Sequence, residues 1–184
     1  MSFMSELLDK YIGFWSIVKT YGWKNFFKDS LVPIIFASVV IIVAIAYCND
    51  SYALFDKVVA LCISVLPSYL GLLVAAYTIL LTLLTTETIA KLKEIDNNVN
   101  GYNGKDLIRT LNSDFAICIL IAGFALFLSA FFSVNSSLNI VFVYADVVNY
   151  SCVFLMVYLL TYALTVLVGL IEDLYNIGQT TTIL

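Results

Sequence analysis

The side chains best placed to do chemistry in this chain are hydroxyls, and they recur at helical spacing. Ser64, Ser68, Gly71, Ala75, Thr78, Thr82 and Thr85 fall every three or four residues, which sets them on one face of a helix as a narrow, small and mildly polar stripe. Ser151, Tyr158, Tyr162, Thr165 and Gly169 repeat the pattern later in the chain. Two uses fit such stripes. Small residues let helices approach closely while hydroxyls bond across the contact, and the same side chains can line a wet pore. We read Ser68, Gly71, Ala75, Thr78 and Thr82 as a contact between copies of the chain, with a depolarising oligomeric pore as the alternative.

The rest of the inventory excludes more than it offers. Histidine is absent, which removes the commonest general base, the Ser-His-Asp type of triad and the commonest metal ligand. Cys48, Cys62, Cys118 and Cys152 show no CxxC spacing and read as apolar packing residues; a Cys48–Cys62 disulfide is the sharper alternative. The sequence holds no glycine-rich phosphate cradle, paired carboxylates or metal-ligand cluster, so neither an enzyme nor a cofactor or metal is expected. A proton-driven carrier is also disfavoured, because it needs a carboxylate inside a span. Glu87, Asp114 and Glu172 fall at one end of the spans and Asp146 towards the other.

Those spans must position the hydroxyls. Of 184 residues, 62% are apolar and 12% charged, a balance that leaves too little polar surface for a soluble domain of this size. A helix crosses a hydrocarbon core of about 30 Å in about 20 residues. Four apolar stretches meet that length: Leu31 to Tyr47, Val58 to about Thr86, Phe115 to Val134, and about Tyr150 to Ile171. Pro67 offers the long second stretch a kink. The expected fold class is an all-α integral membrane protein: four transmembrane helices plus an N-terminal interfacial amphipathic helix and a cytoplasmic helical hairpin.

Lysine and arginine set the orientation. Lys10, Lys19, Lys24 and Lys28 precede the first span, and Lys91, Lys93, Lys105 and Arg109 separate the second from the third, which leaves Lys57 alone on the other side. Under the positive-inside rule both termini are cytoplasmic. Residues 1–30 carry Leu7, Leu8, Tyr11, Trp15, Val18 and Tyr21 at helical intervals, as an interfacial helix does, and Asp29 and Ser30 are expected to interrupt it. Residues 31–184 form the transmembrane domain. Within it, 87–114 reads as a hairpin, with Asn/Gly clusters at 97–104 supplying the turn and Leu107, Ile108 and Leu111 leading into the third span. The apolar stretch Leu138 to Val148 reads as an outward extension of the fourth span. Basic residues are spread too thinly for direct binding of nucleic acid.

With the run Gly71-Leu72-Leu73-Val74-Ala75-Ala76-Tyr77-Thr78-Ile79-Leu80-Leu81 in one span, a Trp-containing N-terminal segment and four spans with both ends inside, the chain resembles small bacterial membrane proteins of anti-phage defence loci, the membrane subunit of the Kiwa system among them. The resemblance covers the whole chain at the level of topology. It implies a non-enzymatic sensor or scaffold in the cell inner membrane, a homo-oligomer with a tetramer favoured, in contact with membrane lipids and recruiting a cytoplasmic protein partner that itself binds DNA. The hairpin charges Lys91, Lys93, Lys105 and Arg109 are the expected partner-binding residues.

The topology has a direct test. Alkaline phosphatase fused after Asn135 should be active and after Gly104 silent, and the opposite pair of results would invert the orientation.

Overall fold

The computed structural model describes residues 13–83, 104–136 and 144–182. These form four helices: α1 (Gly13–Tyr47), α2 (Ser51–Leu83), α3 (Gly104–Ser136) and α4 (Ala145–Thr182). No strand occurs among the described residues. All four helices are long and apolar enough to cross a membrane, over Ile17–Tyr47, Ser51–Thr82, Thr110–Ser136 and Ala145–Glu172.

The first helix departs most from expectation. Instead of an interruption at Asp29 and Ser30, α1 runs helically through both. The break lies at Gly22, whose backbone (φ 77°, ψ 147°) is far from helical. Polar residues inside the helix are tolerated because they have partners: the Tyr21 hydroxyl donates to the Asp29 carboxylate, and Ser30 Oγ lies 3.0 Å from the Tyr158 hydroxyl. The helix α2 continues through Pro67 with helical backbone throughout. The helix α4 starts at Ala145, five residues before Tyr150, so it takes in the end of the apolar stretch Leu138 to Val148, whose residues 138–143 lie outside the described residues. The first hairpin arm and its turn lie outside the described residues, as do residues 1–12, while α3 contains Leu107, Ile108 and Leu111.

The central pair is α3 and α4. Each packs against all three other helices, whereas α1 and α2 flank them without extensive mutual contact. The main core joins Cys62, Leu66, Tyr69 and Leu73 of α2 to Cys118, Ala122 and Ala125 of α3 and to Met156, Tyr162 and Ala163 of α4. Smaller clusters close the two ends: Leu80, Leu111, Phe115 and Leu170 at one, and Phe55, Val59 and Val153, with Phe132 packed alongside, at the other. Cys62 and Cys118 are fully buried, Cys48 and Cys152 half-buried, and all four are free, so the Cys48–Cys62 disulfide is not formed.

Only 22–33% of the most apolar window of each candidate span is buried, and large side chains such as Ile35, Phe36, Leu72, Phe124, Phe127 and Phe131 stand exposed. That surface is far beyond what water tolerates, and it is the surface expected of helices that meet lipid.

Candidate functional site

Two opposite seams run along α2. Cys62, Leu66, Tyr69, Leu73 and Leu80 are buried against the bundle. Displaced by two residues, or about 200° around the helix, Ser64, Ser68, Gly71, Ala75, Thr78 and Thr82 are all exposed. Their intervals of four, three, four, three and four residues match the repeat of about 3.6 of the α-helix itself, so the row stays on one face along its length. Over 18 residues the seam is about 27 Å long. A Cβ built on Gly71 meets nothing within 4 Å. The five residues singled out on α2 are therefore brought together on one face, and that face is not used inside the bundle.

The hydroxyls on this seam are partly occupied. Ser64 donates to the Leu61 carbonyl at 2.8 Å, Thr78 to Val74 at 2.8 Å and Thr82 to Ile79 at 2.7 Å. Bonding back to the helix in this way lets a hydroxyl sit in apolar surroundings and still offer lone pairs to a neighbour.

On α4 the stripe divides. Tyr162 is buried and Tyr158 half-buried, both towards α1, while Ser151 is exposed and bonded to the Val147 carbonyl. Of the basic residues, Lys105 and Arg109 stand in the first turns of α3; Lys91 and Lys93 lie outside the described residues.

Sequence reasoning missed the polar contacts that join the helices. Tyr69 donates to the Ala163 carbonyl at 2.6 Å and lies 3.0 Å from Cys118 Sγ, so one hydroxyl touches α2, α3 and α4 together. Tyr21 reaches both Asp29 and, at 3.1 Å, Tyr162. Ser113 donates to the Ile17 carbonyl at 2.9 Å, and Tyr77 donates to Asn112. At the other end Ser51 donates to Asp146 and accepts from Asn149, while Tyr52 donates to the Ser136 carbonyl. The spacing of Tyr158 and Tyr162 was a visible signal; Tyr21 and Tyr69 carried none that separated them from ordinary apolar positions. Beside the α1 kink an apolar crevice of about 430 Å³ opens towards α3, lined by Val18, Gly22, Trp23, Ile117, Leu120 and Phe124 among others.

No family model, curated protein or solved structure matches the chain.

The Tyr69 contact can be weighed. Tyr69→Phe keeps the ring and removes the donor, and should cost about 0.6–1.7 kcal/mol, the range found for hydrogen bonds between helices in membranes, in reversible unfolding by increasing SDS in mixed micelles. No change would make the contact incidental.

Proposed function

We propose that the chain is a non-enzymatic scaffold of the inner membrane, with both termini in the cytoplasm, that self-associates through the outward seam of α2 and holds a soluble partner at its cytoplasmic end. The observation that carries this reading is the seam itself. A face of Ser68, Gly71, Ala75, Thr78 and Thr82 stands free on a bundle whose core is complete without it. Lipid tails are as apolar as leucine, so helices in hydrocarbon associate by close packing and hydrogen bonding rather than by a hydrophobic drive. A bare small-residue face is where that association is strongest.

The partner reading rests on Lys91 and Lys93, which fall between α2 and α3 in sequence, and on Lys105 and Arg109 in the first turns of α3. Glu87, Glu94, Asp96 and Asp106 alternate with these cations, and a cytoplasmic segment of mixed charge suits recognition of a soluble protein surface by complementary charge pairs. The sensor role in anti-phage defence, the Kiwa-like assignment and the tetramer rest on the resemblance in outline. A depolarising pore is the second reading: Leu66, Leu73, Met156 and Tyr162 fill the bundle, so such a pore would run between copies, along the hydroxyls of the same seam.

Gly71→Leu separates self-association from folding, because the open space at Gly71 accommodates a side chain within one bundle. In native mass spectrometry the variant should dissociate to smaller species while its helicity and SDS resistance stay at wild-type values. Combined with charge reversal at the four basic residues, which should abolish co-purification of the partner and leave the oligomer intact, it tests the two halves separately. An unchanged oligomer in Gly71→Leu would remove α2 from the interface; currents lost in Thr78→Trp, with partner binding indifferent to the reversals, would establish the pore.

A further inference from the structure

The kink in α1 divides the helix into a short arm ending at Tyr21 and a long shaft beginning at Trp23. We propose that the arm is a latched lever: Gly22 is its hinge, and the Tyr21 hydroxyl, held by Asp29 and Tyr162, is its latch. This goes beyond the scaffold reading and stands without it.

The hinge is specific to its residue. With φ at 77° and ψ at 147°, Gly22 occupies a region that side chains rarely enter, and it is the one positive-φ glycine among the described residues. Space is not the reason for glycine there, since a Cβ would meet nothing within 4 Å; backbone conformation is. The arm is also finished as a separate helix end. The Tyr21 carbonyl accepts the side-chain amide of Asn25 at 2.8 Å, from the very residue whose backbone N–H would bond that carbonyl in an unbroken helix.

The latch spans the hinge. Asp29 lies on the shaft, eight residues after Tyr21, and Tyr162 lies on α4. Together with the bond from Ser113 to the Ile17 carbonyl, these polar contacts hold the arm against the bundle. Two arrangements of α1 thus compete. The bent one keeps the Tyr21 bonds; a straight one completes the backbone ladder through residue 22 and gives them up. The crevice beside the hinge, between Val18, Trp23 and Leu120, leaves room on the α3 side for the arm to turn. A discrete two-state element of this kind is what a membrane protein needs to convert a local contact into a changed cytoplasmic surface.

Amide hydrogen exchange on the full chain in nanodiscs tests the lever. Tyr21→Phe preserves the ring and removes the hydroxyl, and should speed exchange at residues 17–22 by about fivefold or more, the effect of losing one buried hydrogen bond, with 113–128 and 153–166 unchanged. Gly22→Ala disfavours the bent backbone and should act oppositely just past the hinge, slowing exchange at 23–25 as the straight helix forms. Unaltered exchange at 17–22 in Tyr21→Phe, or acceleration spread equally through α3 and α4, would overturn the latch. Faster exchange at 23–25 in Gly22→Ala would overturn the hinge.

Discussion

Everything in this architecture depends on the fact that apolar surface gives helices no reason to associate once their surroundings are hydrocarbon. Burial against a neighbour and exposure to lipid tails are then nearly equivalent, and what remains is close packing and the hydrogen bonds that hydroxyls make where water is absent. The bundle is built accordingly. Ala122, Ala125 and Ala163 bring α3 and α4 together with their neighbours, and tyrosines supply the cross-links. Tyr69 ties α2 to α3 and α4, and Tyr21 ties α1 to α4. A long aromatic side chain reaches across the gap between two helices and carries its one donor to the far side. That explains why the bundle coheres with so little of each span buried.

The same constraint makes the outward seam of α2 informative. A helix that had only lipid to face would gain nothing from presenting serine, glycine, alanine and threonine in a row. On α2 that row runs between exposed Leu72, Val74, Ile79 and Leu81, whereas the exposed positions of α1 from Leu31 to Val43 are Leu31, Val32, Ile34, Ile35, Phe36, Val39, Ile42 and Val43. Two flanking helices of similar length thus both expose large apolar side chains, and α2 alone of the two adds a continuous small-residue row. On the scaffold reading, α1 meets lipid and α2 meets another copy.

Much of the fold was legible in the sequence because span length and apolar content are strong signals. The first, third and fourth spans lie within the helices that form, and the second does so as far as Leu83, where the described residues end. The errors have physical causes. Asp29 and Ser30 look like a helix stop only until Tyr21 and Tyr158 are seen to satisfy them, and that satisfaction is tertiary. Gly22 was unremarkable as one glycine beside Tyr21, since permissiveness in glycine does not announce whether it is used. Pro67 removes a donor, yet the helix carries on, as prolines in such helices commonly allow. The seam was legible from its intervals, but a period of about 3.6 fixes a face without saying whether it looks inward or outward; the reading as a contact between copies went beyond what the intervals decide.

The central claim is that the outward seam of α2 is the surface on which a second copy sits. Single cysteines placed along α2, in a chain with its native cysteines replaced, and oxidised mildly in native membranes, measure it most directly, because a disulfide forms only when two Cα atoms come within about 7 Å. The account predicts covalent dimers for Ser68→Cys, Gly71→Cys and Ala75→Cys, and none for Leu72→Cys or Val74→Cys on the flanks. Equal cross-linking at all five positions, or cross-linking confined to Leu72 and Val74, would contradict it.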